Sequence, residues 1–217
     1  MKLTQIFNEL IKEDAPIEED YPMSWNINDF KALTSFQKRI QYCNQHLKRL
    51  KSGSSRIVYQ IDNEKVLKLA RNKRGLIQNE NELYRGTDKF LSDIVGRVFD
   101  GDHENNLWLE MELVKPVNAQ IFKNVTGLGF PFYCTVIKYI DSISNRHQAL
   151  KEPEGMDKLW DDEFIHGISD IIGSYDIFLG DLMKLDSYGL VKRDGQDTIV
   201  IIDAGLGEED FDKHYRN

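Results

Sequence analysis

The chain has 217 residues, 41% of them hydrophobic, with a formal net charge of −8 and only two cysteines, Cys43 and Cys134, so we expect one domain with a substantial core, with or without an appendage. The acidic balance argues against general nucleic-acid binding, because that depends on lysine and arginine neutralising phosphates. No stretch approaches the roughly 20 apolar residues of a membrane span, residues 1–20 lack a signal core, and the cysteines show no disulfide or metal spacing. We therefore expect a cytoplasmic protein with reduced thiols and no membrane contact.

Residues 1–50 are predicted to be mainly helical. Apolar residues recur at helical spacing between Ile6 and Ile11 and again from Phe30 to Leu50. Pro16 and Pro22 lie between the two stretches and separate them. The region carries no recognisable chemistry, so we expect it to be a packing appendage or a partner surface.

The pattern changes at Ser52, where strand-like alternation begins. It predicts four strands and one helix: strands at 56–61, 65–70, 95–99 and 107–113, and a helix at 75–90. Asp62 and Asn63 form a turn that makes the first two strands an antiparallel hairpin. Basic residues are concentrated here, at Lys48, Arg49, Lys51, Arg56, Lys68, Arg71, Lys73 and Arg74.

The last third of the chain is predicted to be mainly helical and to end in a hairpin. Residues 114–134 carry glycine and proline and are predicted to be irregular. Helices are expected at 132–143 and 158–179, and short strands at 188–191 and 198–202. The second of these strands is strongly β-branched and stops at Asp203-Ala204-Gly205.

Lys68 is the first candidate functional residue. It lies between Leu67 and Leu69 in an apolar strand, and a lysine on a buried face needs a partner because an unpaired buried charge is costly. The alternative is a lysine in an edge strand that reaches water. Glu80 and Glu82 of the next helix are the available carboxylates, and we favour Glu82 because it neighbours an apolar stripe.

The loop Gly53-Ser54-Ser55 precedes the first strand of the hairpin. Backbone N–H groups and serine hydroxyls in such a loop can hold phosphate oxygens. An ordinary loop leading into a hairpin is the alternative.

Three carboxylates and one hydroxyl near the end of the chain are further candidates. Asp203 ends a buried strand and can project into a cleft to hold a divalent ion. Asp181 follows an apolar helix and can orient a hydroxyl, and Asp186 or Ser187 offers a nearby oxygen to a metal. Simple turn and loop roles are the alternatives for all four.

The order of these features is that of the protein kinases, and from about Leu50 to Leu206 the chain resembles that superfamily. It is similar in particular to the small, uncharacterised kinase-like proteins of tailed bacteriophages. The stretches that carry the resemblance are Gly53-Ser54-Ser55-Arg56-Ile57-Val58-Tyr59, Lys68-Leu69-Ala70 with Gln78-Asn79, Ser187-Tyr188-Gly189-Leu190-Val191 and Ile201-Ile202-Asp203-Ala204-Gly205-Leu206.

The resemblance implies an α+β, kinase-like bilobal fold that binds ATP and Mg²⁺. It divides the chain into a helical N-terminal extension (1–50), an N-lobe-like sheet with one helix (51–113) and a truncated, mainly helical C-lobe (114–217). Each candidate residue then takes a role. Lys68 contacts the α- and β-phosphates and pairs with Glu82, Asp181 is the catalytic aspartate, Asp203 binds Mg²⁺ with Asp186 or Ser187, and the backbone of Glu110, Met111, Glu112 and Leu113 holds adenine.

Departures from the kinase pattern leave two functions open. The phosphate loop has one glycine instead of three, Leu179-Gly180 replaces His-Arg before the aspartate, and Ala204 replaces phenylalanine. Only 12 residues follow Gly205, too few for an activation segment. The chain is thus expected to be a phosphotransferase acting on a protein or small molecule, or a pseudokinase-like module that grips a host or phage protein. An unrelated α+β regulator is a third reading.

Overall fold

The computed structural model describes residues 21–86, 88, 91–144 and 150–215, a mixture of helices and strands. The helices are α1 (Ile27–Ala32), α2 (Phe36–His46), α3 (Lys73–Gly86), α4 (Ala119–Thr126), α5 (Phe130–Ser144), α6 (Met156–Leu159), α7 (Glu163–Ser174), α8 (Leu179–Leu182) and α9 (Glu208–Tyr215). The strands are β1 (Lys48–Ser52), β2 (Arg56–Gln60), β3 (Lys65–Ala70), β4 (Val98–Gly101), β5 (Trp108–Glu112), β6 (Lys115–Pro116), β7 (Tyr188–Arg193) and β8 (Gln196–Ile201). None of these helices is long and apolar enough to cross a membrane.

The strands form two antiparallel sheets. The first has five strands in the order β1-β2-β3-β5-β4, and the second has three in the order β6-β7-β8. Two contacts connect the sheets: a parallel bridge between Val95 and Ile201, and a bidentate ion pair between Arg193 of β7 and Glu112 of β5. Both nitrogen–oxygen distances of that ion pair are 2.6 Å.

Residues 21–47 cover one face of the five-stranded sheet. Because side chains alternate along a strand, Leu67 and Leu69 of β3 point to this face, where they join Phe30 and Trp108 in an apolar cluster. Asn26 and Ser35 cap the two helices by accepting hydrogen bonds from backbone N–H groups of the first turn.

The opposite face of the sheet belongs to a second and larger core. Val66 and Met111 meet apolar residues of α5, α7 and the three-stranded sheet there. Two buried tyrosines tie these layers, because the hydroxyls of Tyr133 and Tyr188 lie 2.6 Å apart and Tyr188 also donates to the carbonyl of Leu182 at 2.8 Å. Strand β3 therefore contributes to both cores.

The predicted hairpin and its neighbours are present, with shifted ends. The hairpin of β2 and β3 pairs Arg56 with Ala70 through Gln60 with Val66. Helix α3 begins at Lys73 and ends at Gly86, whereas Phe90, the last residue of the predicted helix, lies outside the described residues. The predicted helical turn between Ile6 and Ile11 lies outside them as well.

Three predicted segments were wrong. The first helical region does not extend to residue 50, because β1 begins at Lys48; all five of its residues are exposed, so it shows no alternation. Residues 114–134 contain helix α4, which Asn118 and Gly127 bracket, with Gly127 at a φ of 74°. The helix expected at 158–179 is broken, because Asp162 caps α7 by accepting from the N–H of Ile165.

Candidate functional site

A cleft of about 440 Å³ lies between the five-stranded sheet and the residues around β7 and β8. Its volume falls within the range of small-molecule sites, roughly 300–1,000 Å³. Its apolar lining includes Val58, Val66, Met111, Leu113, Val114 and Val117, and its polar lining includes Gly53, Ser54, Ser55, Arg56, Lys68, Glu112, Asp186 and Asp203. The cleft therefore offers both apolar walls and a group of charges.

Lys68 and Glu82 form a buried ion pair at this cleft. Nζ of Lys68 lies 2.6 Å from Oε2 of Glu82 and also donates to the carbonyl of Ile202. The lysine is in the central strand of its sheet and its side chain is 7% exposed, so it is not an edge lysine that reaches water. Burial lowers the pKa of Lys68, and the charge of Glu82 opposes this shift. Glu80 is exposed.

Arg56 is the residue that the sequence did not identify as part of the site. Its Nη2 lies 2.8 Å from Oε1 of Glu82 and 2.8 Å from Oδ1 of Asp203. Burial alone would lower the pKa of this guanidinium, but the charges of Glu82 and Asp203 outweigh burial and raise it. The sequence showed Arg56 as one of several basic residues near the loop, at the first position of an apolar strand.

Glu82 is consequently shared by two cations. One of its oxygens faces Arg56 and the other faces Lys68. Burial would raise the pKa of this carboxyl group, but the two cations outweigh burial and lower it. Glu82 is therefore a carboxylate at neutral pH and fixes the positions of both cationic side chains.

Asp203 and Asp181 lie near each other but differ in exposure. The side chain of Asp203 is 43% exposed and lines the cleft. Asp181 is buried in α8, and its Oδ1 accepts from Nζ of Lys184 at 2.8 Å. Burial raises the pKa of Asp181; Lys184 opposes the shift and the charge of Asp203 adds to it.

Asp186 and Ser187 occupy different environments. Asp186 lines the cleft, and its Oδ2 lies 2.9 Å from Nζ of Lys51. The hydrogen bond from Lys51 is the main cause that lowers the pKa of Asp186. Ser187 is buried, and its carbonyl accepts from the N–H of Ile202 at 2.8 Å. Of these two residues, Asp186 is the one that offers an oxygen to the cleft.

The donor set suits Mg²⁺ in its chemistry but is partly engaged. Among the described residues, no group of three or more His, Cys, Asp or Glu side chains could hold a metal ion. Mg²⁺ in nucleotide sites, however, is usually held by one or two carboxylates together with phosphates. Asp203 and Asp186 can provide those carboxylates, provided that they share them with Arg56 and Lys51.

The loop between β1 and β2 is held by the segment that precedes α3. Arg71 donates from Nη1 to the carbonyl of Gly53 at 2.9 Å and from its N–H to that of Ser55 at 3.0 Å. Asn72 donates from Nδ2 to the carbonyl of Ser54 at 2.9 Å. The loop borders the cleft in a defined conformation, without the three glycines of the kinase pattern.

The segment expected to hold adenine divides into two parts. Glu110 does not line the cleft, because alternation along β5 turns its carboxylate to the opposite face, where it accepts from the hydroxyl of Tyr21. Met111, Glu112 and Leu113 do line it. The N–H groups of Glu112 and Leu113 donate hydrogen bonds to the carbonyls of Arg97 and Glu64, at 2.9 and 2.6 Å.

Of the comparisons with known proteins, the one with solved structures found similar chains. No family model matches the chain, and no curated protein matches it. The gentamicin complex of APH(2″)-IIa is 14% identical, with a TM-score of 0.33 over 80% of this chain and 71% of that one. SAICAR synthase from Saccharomyces cerevisiae with SAICAR is 13% identical, with a TM-score of 0.32 over 75% and 74%. The ADP-bound aminoglycoside phosphotransferase APH(2″)-Ib is 16% identical, with a TM-score of 0.30 over 78% and 69%. Similarity at this level assigns neither a family nor an activity to the chain.

Proposed function

We propose that the cleft binds ATP with Mg²⁺ and that the chain is a kinase-like phosphotransferase. The observation that carries this proposal is the buried pair of Lys68 and Glu82 at a cleft that Asp203 also lines. Phosphoryl transfer depends on positioning and charge neutralisation more than on covalent chemistry. A cation held in place by a carboxylate can bind a polyphosphate, and apolar walls can hold a flat base.

Each residue has a role in this proposal. Lys68, oriented by Glu82, neutralises the α- and β-phosphates, and the loop at Gly53, Ser54 and Ser55 borders the phosphates. The segment from Met111 to Leu113 lies against the adenine ring. Asp203 and Asp186 hold Mg²⁺, which when bound supplies charge to the phosphate oxygens.

Asp181 is the residue proposed to act on the acceptor. An acceptor hydroxyl attacks the γ-phosphorus, the bond to the bridging oxygen of ADP breaks, and the hydroxyl proton passes to Asp181. A carboxylate serves this role better when its pKa is raised towards neutrality, and burial raises the pKa of Asp181. Lys184 donates to Oδ1 of Asp181 at 2.8 Å, so the other carboxylate oxygen, Oδ2, is the one proposed to take the proton.

The second candidate function is a nucleotide-binding module that grips a host or phage protein without transferring phosphate. The observation in its favour is the hydrogen bond from Lys184 to Asp181, because a carboxylate bound to a lysine is a poorer proton acceptor. The two functions share the nucleotide site and differ only in the transfer step.

Thermal unfolding with ATP, in the presence and absence of Mg²⁺, tests the proposal. Ligand at 100 times its dissociation constant adds about 2.7 kcal/mol of stability. We expect ATP to stabilise the wild type, Mg²⁺ to add to the effect, and Asp203→Ala to lose the Mg²⁺-dependent part. Asp197→Ala is the matched control, because Asp197 is exposed and pairs with Lys192 at the surface. Absence of any shift by ATP refutes the nucleotide site, whereas binding without γ-phosphate transfer to offered acceptors favours the binding module.

A further inference from the structure

Arg56 contacts the carboxylate that is proposed to hold a divalent ion. Its Nη2 touches the carboxylate of Asp203 at 2.8 Å, while the side chain of Asp203 stays 43% exposed to the cleft. The arginine itself is buried and lines the same cleft. The protein therefore places its own cation on the carboxylate that is proposed to hold Mg²⁺.

The charges of this cluster balance without a metal. Arg56 and Lys68 carry two positive charges, and Glu82 and Asp203 carry two negative ones, all joined by contacts of 2.6 to 2.8 Å. A divalent cation at Asp203 would face two resident cations across a short distance, and charges this close repel appreciably wherever water is partly excluded. Metal binding therefore competes with Arg56.

The backbone of Arg56 is not free to move away. It pairs with Ala70 in the ladder of β2 and β3, and its carbonyl accepts from the N–H of Gly53 at 2.9 Å. Separation of Arg56 from Asp203 thus has to occur by rotation of a side chain, either that of Arg56 or that of the more exposed Asp203. A guanidinium released in this way matches the geometry of phosphate oxygens, which it can contact through two parallel hydrogen bonds.

We propose that Arg56 is a resident counter-cation of Asp203 that competes with divalent metal for this carboxylate and yields it only when metal binds. This inference rests on the proposed function for the role of Asp203 as a metal ligand. The competition between Arg56 and a metal ion can be measured without any nucleotide, so the two proposals can fail separately.

Binding of Mn²⁺ alone, followed by electron paramagnetic resonance, tests the competition. We expect Arg56→Gln to bind Mn²⁺ at least about tenfold more tightly than the wild type, because the variant frees Asp203 and removes one repulsive charge. Arg49→Gln is the matched control, since Arg49 is exposed on β1 and the variant makes the same change of charge. Adding Asp203→Asn to Arg56→Gln should abolish the gain. Equal Mn²⁺ affinity in the wild type and Arg56→Gln overturns the inference, as does a gain that survives Asp203→Asn.

A measurement on the wild type covers the case in which Arg56→Gln does not fold. The ¹⁵N guanidinium resonance of Arg56, assigned by its loss in Arg56→Lys, is followed while Mg²⁺ is added without nucleotide. We expect the resonance to shift as metal takes Asp203, and a resonance that stays fixed at Mg²⁺ concentrations well above cellular levels contradicts the inference. If ATP fails to stabilise the wild type, the proposed function fails while these metal measurements still decide the role of Arg56.

Discussion

Glu82 is the residue on which the charged cluster depends, because both of its oxygens are bound by cations. Removing one member of a buried ion pair costs about 3–5 kcal/mol, since the remaining charge is left uncompensated. Glu82→Gln keeps the shape of the side chain but removes its charge. Of the carboxylates in the cluster, Asp203 then remains, in contact with Arg56, to balance the charges of Arg56 and Lys68. We expect this variant to lose about 3–5 kcal/mol of unfolding free energy at pH 7.

The loss should depend on pH in a defined direction. The pKa of Glu82 in the folded protein lies below its ordinary value of 4.5, so its stabilising effect is complete above that value and is lost as the pH falls towards the lower, folded pKa. Urea denaturation between pH 7 and pH 3 should show a constant gap between wild type and Glu82→Gln at first, and a shrinking gap below about pH 4.5. Glu80→Gln, on the exposed side of the same helix, should stay within about 0.5 kcal/mol of wild type. A gap that widens on acidification would contradict the assigned charge state.

At the scale of single residues, the sequence indicates which side chains of a strand share a face. Lys68 is buried, in agreement with its place in an apolar strand, and Asp203 lies two residues beyond β8 and lines the cleft, while the roles of both stay predictions. Arg56 was missed because an arginine at the start of a strand is usually exposed, and only the three-dimensional approach of Glu82 and Asp203 explains its burial. Glu110 shows the same limit, since its partner Tyr21 is 89 residues away.

At the scale of elements, helix α3 and the loop before β2 pack through Gly75. A Cβ atom on Gly75 would lie 2.3 Å from the carbonyl oxygen of Ser55 and 3.0 Å from Ala70. Alanine is favoured over glycine in a helix by about 1 kcal/mol, but overpacking against backbone costs about 1–3 kcal/mol. We expect Gly75→Ala to destabilise the protein on balance, because the added Cβ atom forces α3 and the loop apart. The variant should also weaken the ATP-induced thermal shift, because this loop borders the cleft.

Gly129→Ala provides the control for that substitution. A Cβ atom on Gly129 meets no atom within 4 Å, so we expect its unfolding free energy to stay within about 0.5 kcal/mol of the wild type. Chemical denaturation of both variants measures the difference. If Gly75→Ala is as stable as Gly129→Ala, the close approach of α3 to the Ser55 carbonyl is not a constraint in solution.

Elements were predictable where an apolar pattern spans the whole segment. Strand β3 matched its predicted residues, Lys65–Ala70, because it is a buried central strand with an unbroken apolar run. Strand β1 is exposed at every residue and helix α4 has only eight, so neither has a periodic pattern long enough to be recognised. Strand β1 is defined by its pairing with β2, the next strand in the chain, and α4 by its packing against β8 and α5.

At the scale of the whole molecule, two apolar cores share the central strands. Leu67 of β3 belongs to the core under residues 21–47, and Val66 belongs to the core that reaches α5 and α7. Adjacent residues of one strand therefore belong to both cores. This connection also determines the position of Lys68, which lies between Leu67 and Leu69.

Phe30→Ala tests whether the two cores unfold together. Phe30 is fully buried against Trp25 and Trp108, and removing such a side chain costs about 3–5 kcal/mol. Because the cores share β3 and β5, we expect one cooperative transition at a lower temperature, with the same midpoint by circular dichroism and by tryptophan fluorescence. Met23→Ala, which changes a fully exposed side chain of the same segment, should leave the midpoint unchanged. Two separate transitions in Phe30→Ala would show that residues 21–47 are an independent appendage and that the sheet carrying Lys68 does not rely on them.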